Sequence, residues 1–155
     1  MTLSAIVDSS YLVALVDDKD SLHSQAAQMV GALENLSVRL VFLDILMGES
    51  ISVLARRCAE RKHGPALETT LEKLTALVPE DSITWVGQEI RRHYSSVLAE
   101  VQLSRGGRNF NDALTVLVAQ VLAIPAIISF DSDFDNLPGL TRLSDQASVR
   151  SLAGQ

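Results

Sequence analysis

The stretch Asn109-Phe110-Asn111-Asp112, followed by the apolar segment Ala113–Ile128 and then Ser129-Phe130-Asp131-Ser132-Asp133-Phe134, decides how the rest of the chain is read. A helix-like apolar run starts at an acid, and a strand-like run, Ala126 to Phe130, ends at two more. In an α/β fold this places Asp112 at a helix N-terminus and Asp131 and Asp133 at the C-terminal end of a strand. Open parallel sheets gather their ligands at that end.

Working outward, the same alternation recurs. Leu3 to Val7 reads as a buried first strand, followed by Asp8-Ser9-Ser10 and a helical Tyr11–Val16 with Ser9 or Ser10 as its cap. Leu22, Ala26, Met29, Val30 and Leu33 predict a helix over Ser21–Leu36, capped by Asp20 or Ser21. Arg39 to Leu43 is the second strand, and Asp44 opens a long helix to about Lys62 that is stopped at Gly64-Pro65. Leu67, Leu71, Leu74 and Leu77 make a stripe too short for a coiled coil, and so belong to the core or to a dimer face. Ile83 to Val86 is a third strand, Gln88 to Leu103 a helix, and Ser104-Arg105-Gly106-Gly107-Arg108 a flexible loop. Thr141 to Leu143 is a final edge strand. One domain over residues 1–145 and a frayed tail over 146–155 are expected. Strands alternating with helices imply a mostly parallel sheet covered on both faces.

Composition narrows the function. With 155 residues, 47% hydrophobic and 5% aromatic, the chain has ample aliphatic material for a core. No apolar run is long enough to span a membrane, and no basic-then-apolar leader is evident, so a cytoplasmic protein is expected. The single Cys58 gives no disulfide framework and is expected to be buried. The net charge of -6 argues against a protein that wraps nucleic acid with a basic surface, but a bound divalent cation reverses the sign of a local acidic field.

Asp8, Asp44, Asp131 and Asp133 follow strands, and Asp112 opens a helix. Carboxylates brought together at one sheet edge raise one another's pKa and destabilise the fold unless neutralised. Mg²⁺ or Mn²⁺ does this, since hard cations take carboxylate oxygen and water. No His stands beside these acids, so a structural zinc site is not expected. On a regular helix Asp44 and Glu49 lie about 140° apart, so one of them faces the site. Glu49 is assigned to it and Asp44 to the N-cap. Arg105 and Arg108 flank a glycine pair before Asp112 and are candidates to grip phosphate, with Arg56, Arg57, Arg91 and Arg92 ranked behind them. His23 is expected to pack or hydrogen-bond, and Asp17, Asp18 and Asp20 to form a solvated loop.

Val7-Asp8-Ser9-Ser10-Tyr11-Leu12, Asp20 with His23 and Ala26, Asp44 to Glu49, Asn111-Asp112-Ala113-Leu114 and Ser129-Phe130-Asp131-Ser132-Asp133-Phe134 together resemble the PIN-domain family, and within it the VapC-type toxin ribonucleases. The resemblance covers essentially the whole chain. It implies a three-layer α/β/α sandwich and a Mg²⁺- or Mn²⁺-dependent ribonuclease. The family's four acids fall on Asp8, Glu49, Asp112 and Asp131, an accessory acid on Asp133, and small polar residues near the metal on Ser9 and Ser129. Gly48 stands where a further acid often precedes Glu49. The resemblance also implies an RNA substrate, an antitoxin partner and a homodimer. The alternatives are a PIN-like RNA-processing nuclease without a toxin role and a catalytically inactive binding scaffold.

Asp131-Ser132-Asp133-Phe134-Asp135 also mimics the start of a calcium loop, but Asn136 stands where Gly is needed and Arg142 where the bidentate Glu is needed. Haloacid-dehalogenase-type phosphatases carry their Asp-x-Asp after the first strand, not the last. A receiver domain needs adjacent acids after the first strand and a late lysine, and no lysine follows Lys73.

Overall fold

The computed structural model describes residues 2–62 and 65–154. In chain order the elements are β1 (Ser4–Val7), α1 (Ser9–Val16), α2 (His23–Asn35), β2 (Arg39–Leu43), α3 (Asp44–Glu60) and α4 (Leu67–Leu77). They continue with β3 (Ile83–Thr84), α5 (Gly87–Leu103), α6 (Phe110–Val121), β4 (Ala126–Ile128), β5 (Thr141–Leu143) and α7 (Gln146–Ser151). Among the described residues the strands form one five-stranded sheet ordered β3-β2-β1-β4-β5, with every pair parallel. The chain builds from β1 outward through β2 to β3, then returns to the other side of β1. The topological switch point therefore lies between the C-terminal ends of β1 and β4, where a doubly wound sheet opens a crevice.

Side chains alternate across the strands, as the pleat requires. Ala5 and Val7 of β1 and Ala126 and Ile128 of β4 pack into a cluster with Tyr11, Leu12, Met29, Leu54, Leu74 and Val149. Ile6 and Ile127 point the other way, into a cluster with Leu46, Val97, Leu114 and Phe134. Helices thus cover both faces, and the α/β/α layering follows.

Several boundaries differ from the sequence reading, each for a local reason. Asp8, not Ser9 or Ser10, caps α1, its side chain accepting from the Ser10 N–H. Helix α2 starts at His23 rather than Ser21, because the Asp20 carboxylate accepts the Leu22 N–H and holds that residue outside the helix. Asp44 is the first helical residue of α3, with Leu43 at the cap position. The Asp44 carboxylate accepts the N–H of Ile45 at 3.0 Å and of Val86 at 3.3 Å. This second bond takes the ladder donor of Val86, so β3 ends at Thr84. Likewise β4 stops at Ile128, because the N–H of Phe130 goes to the Ser10 hydroxyl and that of Asp131 to the Ser129 hydroxyl.

Residues 146–154 are not a frayed tail. Asp145 and Ser148 form a reciprocal capping box that starts α7, and Val149 is fully buried in the first cluster. Of the leucine stripe, Leu74 is buried and Leu71 packs against the core, while Leu67 and Leu77 are exposed. Cys58 is half-buried, 3.7 Å from the Thr70 hydroxyl. His23 bonds through Nδ1 to the Ala14 carbonyl at 2.8 Å. Asp17 is no solvated loop residue: it is buried under Arg57 and Arg61. The Gly64 helix stop lies outside the described residues.

Candidate metal centre

The switch point gathers side chains from four distant segments. Asp8 follows β1, and one of its carboxylate oxygens accepts the hydroxyls of Ser10 at 2.6 Å and Ser129 at 2.7 Å. These hydroxyls in turn accept the N–H groups of Phe130 and Asp131, each at 3.0 Å. Each serine therefore donates to Asp8 and is itself held by the backbone leaving β4. All hydrogen bonds to Asp8 fall on Oδ2, so Oδ1 has no hydrogen-bond partner among the described residues. The hydroxyl on α1 that reaches Asp8 is that of Ser10, while that of Ser9, though buried, makes no such bond.

Asp112 sits in the first turn of α6, three residues after the true cap, Asn109. The Asn109 side chain accepts the Asp112 N–H at 2.9 Å, and the Asp112 carboxylate accepts the Asn109 N–H at 3.4 Å. This capping box locks the carboxylate at the helix start. Glu49, one turn into α3, accepts a bond from the Asn111 side chain at 3.4 Å. Asp131 caps a short 3-10 turn, with Oδ1 accepting the Asp133 N–H at 2.9 Å.

Electrostatics show that these acids share one field. Burial pushes the Asp112 carboxyl up to about 6, opposed by the Asn109 N–H and reinforced by the charges of Asp8, Asp131 and Glu49. Asp133 is exposed and is not among those charges. Arg105 and Arg108 stand on the turn before α6. Arg108 is paired with Glu100 at 3.4 Å, whereas Arg105 is exposed. Arg57 and Arg61 are consumed by Asp17 and Asp20, away from the acids. The sequence reading names Ser10 as a cap candidate and quotes Asn109 and Asn111 beside Asp112, but assigns none of the three to the site. Only the Asn109-to-Asp112 spacing carried a readable signal, that of a reciprocal cap.

No group of three or more His, Cys, Asp or Glu side chains among the described residues forms a ready-made ion cage. The donor set nonetheless fits a hard cation. It is all oxygen, one Asp8 oxygen is uncommitted, and the cluster carries excess negative charge. Mg²⁺ is held through one or two carboxylates and keeps several of its waters, so it does not need a full protein cage.

The raised Asp112 carboxyl has a stability consequence. A folded-state value above the unfolded one means stability is fully present below about 4 and is lost as pH rises through about 6. Asp112→Asn keeps the cap geometry and removes the charge. In metal-free buffer at about pH 8 it is expected to stabilise the protein by ~1–2 kcal/mol, or about 3–6 °C in melting temperature. The gain shrinks towards about pH 4, and calorimetric scans at both pH values check it.

A doubly wound parallel sheet with an acidic switch point places the chain among α/β domains that bind their ligands at the C-terminal ends of the strands. A family model for the PIN domain matches residues 5–140, and the chain belongs to the PIN-domain family. Solved structures share the fold. VapC20 of Mycobacterium tuberculosis, a sarcin-ricin loop cleaving toxin, superposes with a TM-score of 0.62 at 20% identity, over 83% of this chain and 91% of that one. VapBC2 from Rickettsia felis, bound to a DNA fragment from its promoter, gives 0.66 at 13% identity over 91% and 98%. PAE2754 from Pyrobaculum aerophilum gives 0.60 at 17% identity over the full length of both chains. Among curated protein sequences nothing matches the chain.

Proposed function

We propose that this protein is a Mg²⁺- or Mn²⁺-dependent endoribonuclease and the toxin of a toxin–antitoxin pair. The observation that carries the reading is the buried Asp112 carboxyl, raised by burial and by three acids from three other segments. Keeping a buried carboxyl charged with further acids in reach is costly, and a bound cation relieves that cost.

Asp8, Asp112 and Asp131 would hold the metal, with Glu49 alongside. Once bound, the cation supplies a water of lowered pKa and neutralises charge on the phosphate. The chain's own residues prepare the site. Ser10 and Ser129 fix Asp8 with one oxygen committed and the other free. Asn109 and Asn111 hold Asp112 and Glu49 in place. Glu49 offers a proton-accepting carboxylate beside the cluster, and Arg105, free of ion pairs among the described residues, offers a cation to phosphate.

The structural neighbours that are VapC toxins, one of them a VapBC complex, support an RNA substrate and a small antitoxin partner for this chain. A homodimer in the cytoplasm completes the reading; among the described residues no helix is long and apolar enough to cross a membrane.

Incubating the purified protein with total RNA tests the proposal. Discrete cleavage products are expected with Mg²⁺ or Mn²⁺ and none with excess EDTA. Cleavage that survives EDTA would refute the metal role. Mn²⁺ binding by calorimetry without any cleavage would point instead to an inactive scaffold.

A further inference from the structure

Trp85, the chain's only tryptophan, is 66% exposed, although Val86 beside it is buried. A lone exposed aromatic is ordinary, but Arg91, Arg92 and Tyr94, close by in sequence, are exposed as well. Three residues on begins an open cleft of about 530 Å³ lined by Gln88, Arg91 and Arg92. Next along α5 comes Tyr94, 52% exposed, its ring 6.2 Å from that of Phe110.

Both ends of this stretch contact helices that carry acids of the site. At one end Val86 donates its N–H to Asp44, the first residue of the helix that carries Glu49. At the other, Phe110 is the first residue of the helix that carries Asp112. Helix α5 leaves regular geometry at His93, between the arginines and Tyr94. In sequence the order is aromatic, amide, two guanidinium groups, aromatic, from the end of β3 into α5.

We propose that Trp85, Gln88, Arg91, Arg92 and Tyr94 form a track for an unpaired stretch of RNA leading into the acidic site, a specificity element that rests on the ribonuclease reading above. Trp85 and Tyr94 stack on bases, while Arg91 and Arg92 take the intervening phosphates. Stacking on aromatic faces with cations along the backbone is how single strands are held without a sequence code. Neither arginine is in an ion pair among the described residues, so both are available. The strip also resolves the charge mismatch of an acidic RNA enzyme, because it needs only a few local cations.

Trp85 is its own reporter. A single-stranded oligouridylate of about 12 nucleotides is titrated into the Asp8→Asn protein in calcium buffer, with occupancy followed separately by anisotropy of a labelled strand. Trp85 emission is expected to fall in step with occupancy, and a duplex of equal length to leave it unchanged. Arg91→Ala/Arg92→Ala should weaken binding about tenfold or more and flatten the salt dependence by about 1.4 in slope, two phosphates' worth. Trp85→Ala should weaken binding about tenfold. Unchanged emission at full occupancy, or binding within about twofold after the double substitution, overturns the track. If these substitutions instead change the molecular mass by light scattering, the strip is a protein interface and the proposal falls. Wild-type RNA cleavage is scored in parallel. Cleavage without quenching removes the track and leaves the nuclease, whereas quenching without cleavage leaves the track and removes the nuclease.

Discussion

Asp8→Asn is expected to reduce metal-dependent RNA cleavage by at least about a hundredfold while leaving the fold intact. The magnitude is that of deleting one preorganised contact to developing charge. The specificity comes from how Asp8 is held. Its Oδ2 is committed to Ser10 and Ser129, and its Oδ1 has no partner among the described residues. An asparagine placed there keeps its carbonyl oxygen on the two serine hydroxyls, since these donate. Its amide NH₂ then occupies the free position and presents hydrogens to any cation. Asparagine is also as good a helix cap as aspartate, so α1 still starts normally. Activity lost with an unchanged circular dichroism spectrum and melting temperature fits this account. Activity retained within about threefold would remove Asp8 from the chemistry. Ser129→Ala is a milder companion: the carboxylate stays but loses one of its two hydroxyl clamps, and a partial loss, smaller than that of Asp8→Asn, is expected.

The serine clamp also explains where sequence reading stopped. The order of strands and helices was legible, because apolar runs of strand length alternate with 3.6-periodic segments and acids punctuate the joins. The parallel sheet and its two covered faces follow from that alternation. Strand ends were misjudged at β3 and β4, both times for one reason. A side chain from elsewhere takes the donor that would have extended the ladder, Asp44 at Val86 and Ser10 at Phe130. No local propensity reports a partner more than forty residues away.

The acids themselves were easier to find than their supports. A carboxylate after a strand or at a helix start stands out against apolar neighbours. Ser10, Asn109 and Asn111 do not, because small polar residues are ordinary at helix starts and their function here is to aim another side chain. Asp112 was placed at the helix opening but sits three residues in, since Asn109 is the residue that caps. The last helix was missed because its capping box uses Ser148 where Glu or Gln is the usual signal. Asp17 was read as solvated because its two arginine partners lie forty residues on, in α3 and at its end.

Asp17→Ala is expected to destabilise the protein by about 3 kcal/mol, a fall of about 6–12 °C in melting temperature, although Asp17 is remote from the chemistry. Its side chain is 3% exposed and accepts four hydrogen bonds. Arg61 binds it through both terminal nitrogens at 2.9 and 2.8 Å, Arg57 at 3.0 Å and the Lys19 N–H at 3.1 Å. Arg57 also holds Asp20. Removing the carboxylate leaves a buried gap beside two guanidinium groups that have lost their shared acceptor. The pH dependence has a definite sign. The Arg61 hydrogen bonds, with help from Arg57 and Lys19, hold Asp17 far below the usual carboxylate range despite its burial. A depressed folded value means the stabilisation is present above about 4 and is lost as pH falls below it. The difference between wild type and Asp17→Ala in urea denaturation should therefore be largest near about pH 7 and shrink towards about pH 2. A gap that stays constant with pH would mean packing, not charge, is what Asp17 supplies. The clasp also bears on the site. Asp8 and Asp17 cap the two ends of α1, and α3 carries Glu49 in its second turn and Arg57 in its last. Joining the far ends of these helices fixes the spacing of the acids at their near ends. Asp17→Ala should accordingly cut RNA cleavage several-fold even at temperatures where the variant is fully folded, and activity measured well below its melting point separates that positioning effect from unfolding.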